Sequence, residues 1–403
     1  MIVIADDITG AAEMAGIAFS QGQQVRLVCG GVAGGCGTAT YGTTVIATDT
    51  RSMSEAEAVA ETQQITSHLS PPSQSSPIAP SSQLPLTNHL FKKTDSALRG
   101  HVVAELTALM EATGYQRAVY LPANPSKGRI IRGGTYYIKE VSGERLVVRD
   151  VPIAKTAFSF DPEFPAKTSI LRERFPDAEA KGIIMPDAES EEDIQKVIAK
   201  YNDGKTLFAG AADLFSAILS HSRDTYHGDR PSDSSLYFAN HGVSPHDTLI
   251  LCGSTQSKPL DLGLPIAPMP REIYDGSNDL SLWDTSAYQE KHSLILTMPY
   301  THCTGKEVAV HLRSVMARKA KELITEYLLP TLDREGSGES LHLIIEGGAT
   351  AWATLQALGW TQFEIVAQIA PGVVQMSATN GTLVTLKPGS YPWGNLFSFS
   401  TNT

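Results

Sequence analysis

The sequence is poor in cysteine and pairs none of it. Only four occur in 403 residues (Cys29, Cys36, Cys252, Cys303), with no CxxC spacing. That argues against a disulfide scaffold and a zinc site, and the expected setting is reduced and cytoplasmic. No apolar run reaches about 18 residues, so no membrane-spanning helix is expected. The first residues form an apolar run followed by acids, not a basic segment followed by an apolar one, so no signal peptide is expected. Nothing indicates a lipid anchor. Basic residues are also in deficit, with 32 Lys and Arg against 43 Asp and Glu and a net charge of −11. That leaves no basic face for a nucleic-acid backbone, although a local cluster of Arg and Lys could hold a small anion. Neither a GxGxxG after a strand nor a GxxxxGK[ST] is present; Thr304-Gly305-Lys306-Glu307 matches only the tail of the second.

The length argues for two domains, and 42% hydrophobic with 19% charged residues is a globular composition. The opening stretch, MIVIADDITGAAEMAG, carries the first chemical signal. Ile2, Val3 and Ile4 read as a buried parallel strand, and the Ala-rich segment from Ala11 reads as a helix. Asp6 and Asp7 fall between them, at a strand end where open α/β sheets bind ligands. One aspartate could simply cap the helix. Two at close range repel unless a cation or a donor-rich ligand shares the site.

The same arrangement recurs. Val25–Cys29 and Thr43–Ala47 read as strands, and Thr48-Asp49-Thr50-Arg51 follows the second. Residues 30–42 form a glycine-rich loop. Ser54 to Leu69 reads as a helix, with Ser54 as its cap. Residues 70–88 contain a Pro/Ser-rich stretch read as a flexible surface insertion. His89 to Lys92 reads as a strand, followed by Lys93-Thr94-Asp95-Ser96-Ala97-Leu98-Arg99-Gly100 and a helix over Val102–Thr113. This polar turn is either a salt-bridged loop or an anion site in which the Arg99 fork takes a carboxylate or phosphate. Ala118 to Leu121 is a further strand, followed by a proline-stiffened loop with Lys127 and Arg129. A hairpin suits Thr135 to Arg149, Gly182 to Met185 a strand, and Glu191–Tyr201 an amphipathic helix.

The expected fold class is α/β, with two domains. Each is a largely parallel sheet flanked by helices. The expected boundaries are 1–222, a linker at 223–247, and 248–403. In the second domain, strands at Thr248–Cys252, Leu341 to Ile345 and Gly381 to Leu386 run into Gly253-Ser254, Gly347-Gly348-Ala349-Thr350 and Lys387-Pro388-Gly389. Each loop alone reads as ordinary turn chemistry or as a phosphate cradle.

These residues together resemble the four-carbon acid sugar kinase family. Ala5-Asp6-Asp7-Ile8-Thr9-Gly10-Ala11 is similar to its ADDxTGA opening, and Thr48-Asp49-Thr50-Arg51-Ser52 to its DTRS element. Residues Lys92 to Gly100 look like its KKxDSxLRG, and Pro122-Ala123-Asn124-Pro125 with Gly128-Arg129 like its PAxPxxGR. Ala349 stands where the family usually has an acid, and Pro388 departs from its last loop. The resemblance implies an ATP-dependent kinase that phosphorylates the terminal hydroxyl of a threonate-, erythronate- or 3-oxo-tetronate-like acid, with an active-site cleft between the two domains. Its partners would be the sugar acid and ATP, with Mg²⁺ bridging the phosphates; it leaves a homodimer open. It implies that Asp7, or else Asp6, takes the hydroxyl proton, that Arg99 with Arg51 and Lys93 holds the carboxylate, and that Asp95 and Ser96, beside Thr94, bind hydroxyls. Gly253, Ser254, Gly347, Gly348, Ala349, Thr350 and Gly389 would cradle ATP, with Lys387 near a phosphate. The competing readings are a metal-dependent sugar-acid aldolase or epimerase, and a non-catalytic sugar-acid binder on the same fold.

Overall fold

The structure is a computed structural model. It describes residues 1–30, 42–67, 90–142, 147–161, 163–224, 248–254, 260–298, 305–332, 341–389, 391, 393 and 396–397. The glycine-rich loop, the Pro/Ser-rich insertion and nearly all of the expected linker lie outside these residues, as do Cys36, Cys303 and residues 255–259.

In chain order the strands begin with β1 (Ile2–Ala5), β2 (Val25–Cys29), β3 (Thr43–Ala47), β4 (Leu90–Lys93) and β5 (Arg117–Leu121). Next come β6 (Arg129–Arg132), β7 (Thr135–Ser142), β8 (Val147–Pro152), β9 (Ile183–Ile184) and β10 (Thr206–Gly210). The remainder are β11 (Thr248–Cys252), β12 (Ile266–Pro268), β13 (Ser293–Thr297), β14 (His342–Glu346), β15 (Gln362–Ala370), β16 (Val373–Ala378) and β17 (Leu383–Lys387). The helices are α1 (Ile8–Ser20), α2 (Glu55–Ser67), α3 (Val102–Thr113), α4 (Leu171–Arg174) and α5 (Glu191–Tyr201). They continue with α6 (Ala212–Asp224), α7 (Arg271–Tyr274), α8 (Ser286–Lys291), α9 (Lys306–Leu332) and α10 (Gly348–Leu358). The α/β class expected from the sequence is the class observed. No described helix is long and apolar enough to cross a membrane.

The chain forms two compact units. Unit 1 comprises residues 1–14 and 30–230; unit 2 comprises 15–29 and 231–403. The expected division kept all of 1–222 together, whereas residues 15–29 belong to unit 2 because β2 pairs antiparallel with β15.

In unit 1, six strands run parallel in the order β3-β1-β4-β10-β5-β9. Their short Val/Ile/Ala-rich cores are buried on both faces, as parallel strands require. Register decides what meets at the carboxyl end: Ala5 pairs with Ala47 on one side and with Lys93 on the other. The segments after β1, β3 and β4 therefore leave the sheet side by side. A separate antiparallel sheet, β6-β7-β8, completes the unit; the expected hairpin gains β6 as a third strand. The capping box expected at Ser54 is present, with the Ser54 amide and hydroxyl both donating to Glu57.

In unit 2, β12-β13-β11-β14-β17 are parallel, and β17-β16-β15-β2 continue antiparallel. Cys252, Glu346 and Lys387 pair in register, so three loops emerge from adjacent strand ends.

Candidate active site

The two opening aspartates divide the work between them. Asp7 caps α1: its Oδ1 accepts the Gly10 amide at 2.7 Å and its Oδ2 the Thr9 hydroxyl at 2.6 Å. Asp6 is closed off, 2% exposed, and accepts Nε and Nη2 of Arg51 at 3.1 and 2.8 Å. The third nitrogen of that fork donates to Asp7 at 3.0 Å and stands 3.7 Å from Asp95. The cation that lets two adjacent carboxylates coexist is thus Arg51, a residue of this chain. It rides on a 3₁₀ turn, Thr50–Ser52, directly after β3.

These contacts set opposite protonation tendencies. Burial pushes Asp6 above the usual carboxylate range, and the charge of Asp7 adds to this against the pull of Arg51. Burial would also raise Asp7, but Arg51, Lys93 and the Thr9 and Gly10 bonds outweigh it and hold Asp7 below its usual value. Asp7 is also the more open of the two, with its side chain 19% exposed.

The turn after β4 is anchored the same way. Arg99 clasps Asp95 with Nε and Nη2, both at 2.9 Å, and reaches Asp161 at 3.5 Å. Asp95 also accepts the Ala97 amide. Burial would raise Asp95, but Arg51, Arg99 and Lys93 hold it far below the carboxylate range. Lys93 is buried; its Nζ donates to the Thr94 carbonyl at 2.9 Å and lies 3.6 Å from Glu13. Thr94 is buried, and its hydroxyl has no partner among the described residues. Ser96 accepts from Arg129, and its carbonyl accepts from the Tyr136 hydroxyl.

Below the site runs a buried polar chain. Lys92 donates to Glu105 at 2.6 Å, and Thr50 donates to the same oxygen at 2.8 Å. Thr50 and Thr48 are bonded at 3.0 Å, and Thr48 donates to the Ala5 carbonyl at 2.8 Å. This chain ties the base of the Arg51 turn to α3 and to the end of β1.

The structure therefore brings Asp6, Asp7, Arg51, Lys93, Thr94, Asp95, Ser96 and Arg99 to one sheet end. The expected cations are already engaged, however: Arg51 with Asp6 and Asp7, Arg99 with Asp95 and Asp161, and Lys93 beside Glu13. Sequence reasoning missed Glu13, Glu105 and Asp161, which carry no local motif. It also missed Arg129, which the basic loop after β5 had signalled.

In unit 2, the three loops interlock. A Cβ on Gly253 would lie 2.0 Å from Thr350 Oγ1, and one on Gly389 would lie 2.2 Å from Ser254 Oγ. Only glycine fits at these two approaches. Gly347 caps α10 and its amide donates to the Lys387 carbonyl at 2.9 Å. Gly348 and Ala349 open α10, where the first amides have no intrahelical partner and suit an anion. Lys387 is buried. It pairs with Glu346, donates to the Pro388 and Gly389 carbonyls at 3.1 and 3.2 Å, and sits 4.8 Å from the Trp393 ring centre. Its charge is spent locally, and it braces the loop after β17.

Comparison with known proteins finds a separate match in each half of the chain. Residues 1–181 match a sugar-binding N-terminal domain, and residues 285–391 match a nucleotide-binding C-terminal domain. A D-threonate kinase of Salmonella typhimurium is 28% identical over 247 residues, 54% of this chain and 53% of that protein. The match thus spans about half the length of that curated relative. The crystal structure of Haemophilus influenzae protein HI1011 aligns over 99% of this chain and 98% of its own, with a TM-score of 0.65 and 18% identity. That is a likeness of fold.

Proposed function

Because the chain belongs to the four-carbon acid sugar kinase family, we propose that it transfers the γ-phosphoryl group of ATP to the terminal hydroxyl of a four-carbon sugar acid. The acids in question are of the threonate, erythronate or 3-oxo-tetronate type. In this reaction the acceptor oxygen bonds to the γ-phosphorus, the bond to the bridging oxygen of ADP breaks, and the hydroxyl proton passes to a carboxylate.

The difference between Asp6 and Asp7 is the observation that carries this reading. Asp6 is sealed by the Arg51 fork, whereas Asp7 is partly open and held ionised by Arg51, Lys93 and its two cap bonds. We assign Asp7 the acceptor-positioning and proton-accepting role, and Asp6 the role of fixing Arg51. An aspartate with a depressed pKa acts mainly by orienting the hydroxyl, which is the larger part of phosphoryl-transfer catalysis. Unit 1 supplies the acceptor groups.

Unit 2 supplies the nucleotide side. The close glycine approaches at Gly253 and Gly389, with the α10 amides, suit phosphate oxygens. The described residues contain no cluster of three or more acidic, His or Cys side chains suited to a metal. Mg²⁺ brought in with ATP would neutralise phosphate charge. A coupled assay of ADP release, run over a panel of four-carbon sugar acids with ATP and Mg²⁺, tests the proposal. ADP release that no acid raises above the background rate would overturn it.

A further inference from the structure

The engagement of Arg51, Lys93 and Arg99 leaves a question that rests on the reading above: which group receives the acid end of the substrate? Two other arginines border the Asp95–Gly100 turn. Arg174 is committed to backbone: Nε and Nη2 donate to the Leu98 carbonyl at 3.2 and 3.0 Å, Nη1 to Pro165 and Nη2 to Phe164. Those bonds hold Leu98 at its left-handed φ of 65°.

Arg129 is different. It is part-buried at the start of β6, behind the tight Gly128 turn. It has no carboxylate partner among the described residues. Its guanidinium carries five N–H donors, of which only Nη1 meets an acceptor among the described residues, the Ser96 hydroxyl. Its Cζ lies 5.7 Å from the centre of the Phe158 ring, so the ring backs the guanidinium plane and leaves the donor edge free. Ser96 is held in place by the Tyr136 hydroxyl, which donates to its carbonyl. Ser96 also directly follows Asp95, the residue on which Arg51 and Arg99 converge.

We propose that Arg129, with the Ser96 hydroxyl, binds the substrate carboxylate and makes the site selective for acids over neutral sugars. Arg51 and Arg99 are then internal counter-ions that shape the acidic side of the site. A planar fork with free parallel donors matches a carboxylate in two bonds, and a part-buried cation without an anion is the costlier partner to leave unmatched. The buried Thr94 hydroxyl, two residues before Ser96, has no partner among the described residues.

The test compares the wild type with Arg129→Met, Arg129→Lys and Ser96→Ala on a four-carbon sugar acid, on the matching neutral polyol, and on ATP. Arg129→Met is expected to raise KM for the acid about 30-fold or more while leaving KM for ATP and the melting temperature close to the wild type. Its preference for acid over polyol should collapse. Arg129→Lys should recover part of that preference, because it keeps the charge and loses the fork. Equal loss on acid and polyol, or an acid KM within about threefold of the wild type, would overturn the assignment. If the wild type releases no ADP with any acid, the kinase reading fails, and calorimetric titration with the acids decides this one separately. Binding to the wild type that Arg129→Met abolishes supports the assignment; equal binding, or none to the wild type, overturns it.

Discussion

Replacing Glu105 by alanine is expected to cost unit 1 about 3–5 kcal/mol, the cost of stranding a buried charge. The reason is geometric. Lys92 is fully buried and Glu105 is 2% exposed, so solvent cannot take up the ammonium that the carboxylate abandons. Thr50 loses its acceptor too, although it keeps its bond to Thr48, which limits that part to about 1 kcal/mol. Replacing both partners, Lys92→Met with Glu105→Leu, removes the two charges together and should be milder than either single change by roughly 3 kcal/mol. Native-state hydrogen exchange at the amides of β1 and β4 reads this directly, because these core strands open only with the unit. Activity should fall with the single variant as well, since Thr50 supports the turn that carries Arg51. Two results would refute the reasoning: a single-variant cost under about 1 kcal/mol, or a double variant as damaged as the sum of the singles.

Asp7→Asn should cut turnover by at least about 100-fold while nucleotide affinity, read by calorimetry, stays near the wild type. Asp6→Asn should instead loosen Arg51 and lower the melting temperature together with activity. Gly389→Ala drives a Cβ onto Ser254 and should weaken ATP binding about tenfold or more while leaving sugar-acid binding intact; unchanged ATP affinity would count against the cradle. His342 is buried against Thr385 Oγ1 at 2.8 Å, and burial lowers its pKa from 6.5 to about 4. A histidine with a depressed folded pKa takes up its proton more readily when unfolded, so its contribution is intact above pH 6.5 and lost as the pH falls toward about 4. The loss is about 3 kcal/mol. All four tryptophans lie in unit 2, so their fluorescence in urea at pH 7 and pH 4.5 reports it, and His342→Gln should flatten the difference.

The local grammar of the chain was legible. The Ser54–Glu57 capping box, the helix at Val102–Thr113 and the glycine loops after β11, β14 and β17 all follow from residue order over a few positions. Adjacency was not. That Ala5 lies beside both Ala47 and Lys93, and Cys252 beside Glu346 and Lys387, is decided by strand order, which no short window carries. The hairpin of β15 and β16 went unread despite a turn signal at Pro371-Gly372, where Gly372 takes a φ of 80°. The charges misled in a physical way. Arginines next to acidic motifs looked like ligand hooks, and most turned out to neutralise aspartates of this chain. Partners such as Asp161, 62 residues from Arg99, lie beyond any local pattern.

The pairing of β2 with β15 has a consequence for synthesis. Cys29 and Gln362 are separated by about 330 residues, which a ribosome adding about 5–20 residues per second takes roughly 15 to 70 s to make. Throughout that interval the edge of β2 that pairs with β15, in the apolar strand of Val25, Leu27 and Val28, lacks its partner. The nascent protein must therefore keep an early, sticky segment sheltered until nearly all of unit 2 has emerged, and that closure is expected to be among the slowest steps of its maturation.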